Sequence, residues 1–397
     1  MRSRADGDGA LILGASYRSL GAVRSLGRRG VRVWLMRSPA HTIATHSRYA
    51  LRTLPWPDGE SEASVVAHLL DVASRHGLDG WQLIPTDDEN AALVARNRDE
   101  LGERYLVAAP DWDTMRWAYD KRLTYRLGCE VGVDQPRTWM PTETGFEQDD
   151  IAFPSILKPA FKRERNRFTI EKAWPVGDRE ELARAFRDAR ELVSVDEIIL
   201  QELVPGGGET QLSYAALASE GRVLASVAAC RVRQYPMDFG RESTYVYSTD
   251  LPDVEAASLA LIERMGYSGL VEIEFKRDAR DGAAKLLDIN PRVWGWQSLG
   301  ARAGVDFIDL QWRLLHGETP SPRRGRVDVG WVRGTTDFAT CARELFAGRR
   351  PGPGFGRSLL RPRARAMFAL DDPLPGLLDG PLLILRSLGA KNGSSGR

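Results

Sequence analysis

The chain has 397 residues, and 55 Lys and Arg stand against 54 Asp and Glu, giving a formal net charge of +1. That balance gives no support to nucleic acid or an anionic membrane as the main partner. The length predicts two or three domains, and 43% hydrophobic residues suffice to fill their cores. No apolar run is long enough to span a bilayer, and the N-terminus enters a strand-like stretch without a signal-peptide cleavage pattern. Cys129, Cys230 and Cys341 are scattered, and the five histidines show no metal-binding grouping. A reduced, cytoplasmic enzyme is the expectation.

Residues 10–16 read as a short buried strand entering a small-residue turn, Gly14-Ala15-Ser16. A helix over 20–29 and a strand over 31–35 complete a β-α-β unit. It lacks GxGxxG, so an NAD(P)-dependent oxidoreductase is a weak alternative. A helix over 65–76, a strand over 80–85 and a helix over 90–101 follow, the last preceded by the acidic cluster Asp87-Asp88-Glu89. That cluster could cap the helix or line a cleft, and capping is the simpler role. Residues 1–110 thus read as an open α/β domain.

One helix is expected over 111–127, carrying Lys121. The strand over 154–159 is closed by prolines and sends Lys158 off one side; a lysine there is costly unless paired. Residues 160–167 are a basic loop, and 179–193 an amphipathic helix. A strand over 197–204 stops at Pro205-Gly206-Gly207-Gly208, and strand character resumes at Glu209. The strand over 223–233 carries Arg231 and Arg233 on one face.

The densest chemistry lies in two strands flanking a polar turn. Period-2 alternation puts Glu272, Glu274 and Lys276 on one face of the first, and Asp288, Asn290 and Arg292 on one face of the second. Two carboxylates and an amide oxygen suit a hard cation such as Mg²⁺. A plain two-residue turn at Asp281-Gly282 would pair Glu274 with Ile289, so the site requires an odd-length loop or a bulge. Taken alone, the pattern is equally that of a solvated surface hairpin. Trp294 and Trp296 read as packing residues. A helical stretch over 295–315 follows, and from Thr319 a Pro-, Arg- and Gly-rich segment offers one strand, 327–332, and one helix, 338–346. Residues 392–397 read as disordered.

The ordered set of Lys121, Lys158, Gln201-Glu202-Leu203-Val204, Glu209, Glu274 and Asp288-Ile289-Asn290-Pro291-Arg292 resembles the ATP-grasp superfamily of ATP-dependent carboxylate–amine or carboxylate–thiol ligases. The likeness covers about residues 110–317. The stretch 230–240, with Asp371-Asp372-Pro373-Leu374-Pro375, resembles a poorly characterised branch of that superfamily. The resemblance implies an N-terminal open α/β domain (1–110), two α+β subdomains (111–195 and 196–318) holding ATP between two sheets, and a C-terminal extension (319–397). It implies that Lys121 and Lys158 contact phosphates, that the backbone of 201–204 reads adenine, and that Glu209 accepts from the ribose. Glu274, Asp288 and Asn290 would hold Mg²⁺, or Mn²⁺ in its place. Arg292 and Arg231 would serve the transferring phosphoryl group or a substrate carboxylate. The implied reaction activates a carboxylate, an amino acid among the candidates, as an acyl phosphate and joins it to an amine, releasing ADP. A catalytically silent ATP-binding module is the alternative, and assembly into an oligomer is left open. One departure is the loop after Lys158, which has no glycine where many members cover the triphosphate with a Gly-rich loop.

Overall fold

The computed structural model describes residues 8–37, 42–57, 61–161, 166–235, 237, 240, 242–349, 351–352, 355–361 and 363–393. Its first sheet comprises β1 (Gly9–Leu13), β2 (Arg32–Arg37), β3 (Ala50–Pro55), β4 (Gln82–Pro85) and β5 (Leu106–Val107), parallel and ordered β3-β2-β1-β4-β5. Every residue of β1 is buried, as in a strand covered on both faces. Ala10 and Ile12 enter one core cluster, Leu11 and Leu13 another, so the alternation of the strand serves the two faces of the sheet. Gly14, at φ +121°, turns the chain out of β1, and a Cβ there would lie 2.3 Å from the Thr86 hydroxyl.

The second sheet comprises β6 (Thr138–Trp139), β7 (Ser155–Pro159), β8 (Trp174–Val176) and β9 (Ile198–Glu202), antiparallel and ordered β6-β9-β7-β8. The third has eight strands: β10 (Gln211–Ser219), β11 (Arg222–Tyr235), β12 (Glu242–Ser248), β13 (Gly269–Arg277), β14 (Ala284–Asn290), β15 (Arg323–Arg324), β16 (Gly330–Val332) and β17 (Arg363–Arg365). Its path is β14-β13-β10-β11-β12-β16-β17, with β15 beside β11. The helix Tyr17–Gly27 joins the first sheet to the third: Leu20, Val23 and Leu26 share one core with Trp294, Phe307 and Trp331.

The C-terminal segment is bolted to the first layer. Asp372, 1% exposed, accepts from Arg24 Nε at 2.8 Å, Ser47 Oγ at 2.7 Å and the Arg48 N–H at 2.9 Å. Asp371 accepts from Tyr49 Oη at 2.7 Å. Weakening a buried pair leaves a guanidinium poorly compensated. We expect Asp372→Asn to cost about 2 kcal/mol, since the amide keeps part of the hydrogen bonding. A lower urea midpoint at unchanged slope checks it; an unchanged midpoint would show that the segment does not brace the fold.

Several element bounds differ from the sequence reading, for local reasons. The helix expected over 111–127 breaks into Trp112–Tyr119 and Lys121–Glu130, because Asp120 is extended and caps the second piece by accepting from the Arg122 N–H at 2.9 Å. The stretch expected over 90–101 is two helices, Asp88–Arg96 and Arg98–Gly102, and that over 295–315 is Ser298–Ala303 and Phe307–Leu315, parted at Gly304 with φ +96°. Glu209 sits on a 3₁₀ turn, Gly208–Thr210, before β10 begins. The strand expected over 327–332 shortens to β16, and the last helix runs Leu374–Gly393, through part of the stretch expected to be disordered; residues 394–397 lie outside the described residues. So do Lys162, Arg163, Glu164 and Arg165 of the glycine-free loop.

Candidate active site

Three sheets meet at one cavity of about 280 Å³. β7 contributes Lys158 and β9 Gln201; across from them lie Glu272 and Glu274 of β13 with Asp288 and Asn290 of β14. The first sheet adds Tyr17 and Arg18, just after β1, and Asp88, just after β4. Strand order reverses between β1 and β4, and the crevice beyond the carboxyl ends at such a point is where open α/β sheets bind ligands.

The register of the hairpin meets the condition set by the sequence. Glu274 pairs directly with Asp288 and Glu272 with Asn290, while the pairing slips between Glu274 and Phe275 so that Phe275 opposes Leu286. That irregularity absorbs the odd residue and keeps the acids on one face. Asn290 Nδ2 donates to Glu274 Oε1 at 2.8 Å, and Asn290 Oδ1 accepts from Arg292 Nη2 at 2.8 Å. Glu272 is buried and accepts from Trp296 Nε1 at 2.7 Å and Ser213 Oγ at 3.1 Å. Burial, then the charge of Glu274, push its carboxyl above the usual carboxylate range. Burial opposes the charge of Glu274 too, but Arg231 beside it holds that carboxyl low.

The cations are placed by their own elements. Lys121 opens the helix Lys121–Glu130, its N–H bonded to the Ala160 carbonyl at the end of β7 (2.9 Å), and its Nζ lies 2.5 Å from Asp288 Oδ1. Burial works against its charge, yet Asp288 keeps its pKa raised. Lys158 is 9% exposed and donates to Gln201 Oε1 at 2.6 Å and Tyr125 Oη at 2.8 Å. Burial, then Lys121, lower its pKa to about 7. Arg231 pairs with Glu274 and donates from Nε to Ser243 Oγ at 2.8 Å. Arg292 donates from Nε to Asp88 Oδ1 at 2.7 Å, tying the metal-candidate strand to the first sheet.

Among the described residues no group of three or more His, Cys, Asp or Glu is placed to hold a metal. The candidate set is instead two facing carboxylates and an amide, all hard donors, which fits a small divalent cation that keeps waters and phosphate oxygens in its shell. Asn290 turns its nitrogen to Glu274, so it would ligate through Oδ1 only after the amide rotates.

Thus Lys121, Lys158, Gln201, Arg231, Glu274, Asp288, Asn290 and Arg292 line one cavity. The other expected residues do not. Glu202 pairs with Arg280 at 2.5 Å, the Leu203 N–H donates to the Pro154 carbonyl at 3.2 Å, Val204 is buried, and Glu209 is exposed on its turn. Arg233, expected to share a face with Arg231, instead pairs with Asp337, because the β11–β12 pairing is irregular on both sides of it. Sequence reasoning missed Tyr17, Arg18 and Glu242 in the wall, and Tyr125, which accepts from Lys158 Nζ at 2.8 Å. Of the acidic cluster that could cap the helix or line a cleft, Asp87 caps, accepting from the Asn90 N–H at 2.8 Å, and Asp88 lines the cavity.

The fold and this constellation are similar to those of the ATP-grasp superfamily. Residues 194–335 match the family model described as ATP-grasp in the biosynthetic pathway with Ter operon. The carbamoyl phosphate synthase large chain of Myxococcus xanthus is 26% identical over 336 residues, 79% of this chain and 29% of its own. The D-aspartate ligase of Enterococcus faecium is 26% identical over 225 residues, 53% of each chain. This chain therefore spans only 29–53% of the length of these curated relatives. In structure it is similar to the L-amino acid ligase of Bacillus licheniformis (TM-score 0.59, 16% identity, 80% of this chain and 78% of that one). It is also similar to the biotin carboxylase–β,γ-ATP complex of Campylobacter jejuni (TM-score 0.62, 16% identity, 81% and 74%). No described helix is long and apolar enough to cross a membrane.

Proposed function

We propose that this chain is an ATP- and Mg²⁺-dependent ligase that activates a carboxylate as an acyl phosphate and joins it to an amine. The observation that carries the reading is the facing pair Glu274 and Asp288, with Lys121, Lys158, Arg231 and Arg292 around the same cavity. Mg²⁺ held by Glu274, Asp288 and Asn290 would bridge phosphate oxygens and spread charge in the in-line transfer. Lys121 and Lys158 are compact cations suited to the phosphates. Arg292 and Arg231 are forked donors for the transferring phosphoryl group and the acid being activated. The substrate carboxylate oxygen attacks the γ-phosphorus and ADP leaves; the amine then attacks the acyl carbon and phosphate leaves. For the backbone of 201–204 to serve adenine and Glu209 the ribose, the residues beyond Gln201 would have to turn toward the cavity, which of these only Gln201 lines.

The ion pairs support the same cycle. Lys121 with Asp288, and Arg231 with Glu274, neutralise one another. Mg²⁺ and the triphosphate offer each of the four a replacement partner, so binding exchanges ion pairs without stranding a charge. The relative named D-aspartate ligase supports an amino acid on one side of the new bond. ADP release is to be measured with a panel of carboxylates and amines, amino acids included. Turnover dependent on both partners is the expected result; neither turnover nor MgATP binding would overturn the proposal.

A further inference from the structure

The phosphate and metal chemistry uses one side of the cavity. On another side, Tyr17, Arg18 and Asp88 face Glu242 of β12. The other arginines of the wall are engaged: Arg231 with Glu274, and Arg292 with Asp88. Arg18 is hydrogen-bonded to Tyr17 but is within ion-pair distance of no carboxylate among the described residues, although the charges of Glu242 and Asp88 act on it. It is a cavity cation held ready for an anion.

Glu242 is its complement. One oxygen, Oε2, is held by Arg333; Oε1 accepts no hydrogen bond from the described residues, and the side chain is 37% exposed in the cavity wall. Arg333 comes from the segment after β16, where its N–H donates to the Thr244 carbonyl at 3.0 Å. Its side chain is 6% exposed, its guanidinium lies 4.3 Å from the centre of the Tyr17 ring, and Nη2 reaches Asp379 Oδ1 at 3.4 Å. Thr335 donates to the other oxygen of Asp379. Arg333 therefore contacts two wall residues at once, Tyr17 at the start of the helix after β1 and Glu242 of the third sheet, and is itself braced by the last helix.

Resting on the ligase reading, we infer that this side of the cavity is the acceptor subsite. It takes an amine that carries its own carboxylate, with the amino group at Glu242 Oε1 and the carboxylate on Arg18. Arg333 is its positioning residue, supplied by the C-terminal segment. One cation and one carboxylate, each with unused bonding capacity, match the two ends of a zwitterion. A bare amine would leave Arg18 without an anion, and a bare acid would set its charge against Glu242.

The test is steady-state ADP release by the full-length chain with matched acceptor pairs: glycine against methylamine, and alanine against ethylamine. The wild type should favour the carboxylate-bearing member by tenfold or more in kcat/KM. Arg18→Gln should erase that ratio while KM for ATP stays within twofold. Arg333→Gln should raise acceptor KM about tenfold with a smaller change in kcat, and Arg333→Lys should recover part of it. Asp379→Asn should shift acceptor KM the same way. Should Arg333→Gln fail to fold, the Arg18→Gln ratio decides alone. Wild-type preference for the bare amines would overturn the subsite, as would an unchanged ratio in Arg18→Gln, or equal shifts of acceptor and ATP KM. If no pair releases ADP and no other acid and amine do, the ligase reading falls and the subsite with it; ADP release with other amines only removes the subsite and leaves the ligase.

Discussion

Replacing Asp288 and Asn290 together by alanine is expected to lower turnover by 10³-fold or more while the protein stays folded. The reason is geometric. Asp288 and Glu274 are direct cross-strand neighbours, and a divalent ion between them needs both oxygen sets and the turned amide of Asn290. Losing two of three donors leaves Glu274 alone, and the charge stabilisation that a metal supplies to a transferring phosphoryl group is worth several kcal/mol. The fold should tolerate the change because Asp288 is 32% exposed and its partner Lys121 19%, so the unpaired lysine can reach water. The comparison is ADP release against Mg²⁺ concentration, alongside thermal unfolding. Activity within tenfold of wild type would move the metal site elsewhere. Loss of the unfolding transition would mean that the pair is structural.

How legible was this in the sequence? The strands of the candidate metal face were readable because alternation of charge and apolar β-formers is a local signal, and it forecast even the irregular register, since only a slipped pairing puts Glu274 and Asp288 on one face. Lys158 stood out because a lysine in a short apolar strand needs a reason. The break at Asp120 was legible in principle: an Asp that can accept from the N–H two residues on is an N-cap signal, and reading through it merged two helices. The acceptor wall was not legible. Asp88 meets Arg292 across 204 residues, and Glu242 meets Arg333 across 91. No periodicity encodes such distances; they follow from the packing of the first sheet and the C-terminal segment on the third. Arg231 and Arg233 show the converse limit. Spacing by two implies one face, but irregular pairing on either side of Arg233 turns it to Asp337 and away from the cavity.

Replacing Lys158 by methionine is expected to lower kcat/KM for ATP by about 10²–10³-fold, the usual loss when one preorganised cation is removed from a phosphoryl-transfer site. It should also change how stability depends on pH. Lys158 Nζ has two neutral partners, Tyr125 and Gln201; Lys121 repels it, and Asp288 and Glu274 attract it from the opposite sheet. Burial dominates, so its folded pKa of about 7 falls below the ordinary 10.5. Between those two values the unfolded chain keeps the proton that the folded chain gives up, so folding stability must rise with pH across the window and level off beyond it. From pH 7 to 9 the wild type should gain about 2 kcal/mol on Lys158→Met, a difference in which titrating groups that do not interact with Lys158 cancel. At pH 7 itself the two proteins should lie closer, because the variant relieves the burial of charge but leaves Gln201 Oε1 without its donor. Triphosphate reverses the preference by favouring the charged amine. Binding of ATP in EDTA at pH 8 should therefore take up a fraction of a proton, read as a dependence of calorimetric heat on buffer ionisation enthalpy, and Lys158→Met should abolish that uptake. A variant that binds ATP as tightly as the wild type, or that keeps the same slope of stability with pH, would remove Lys158 from the phosphate site.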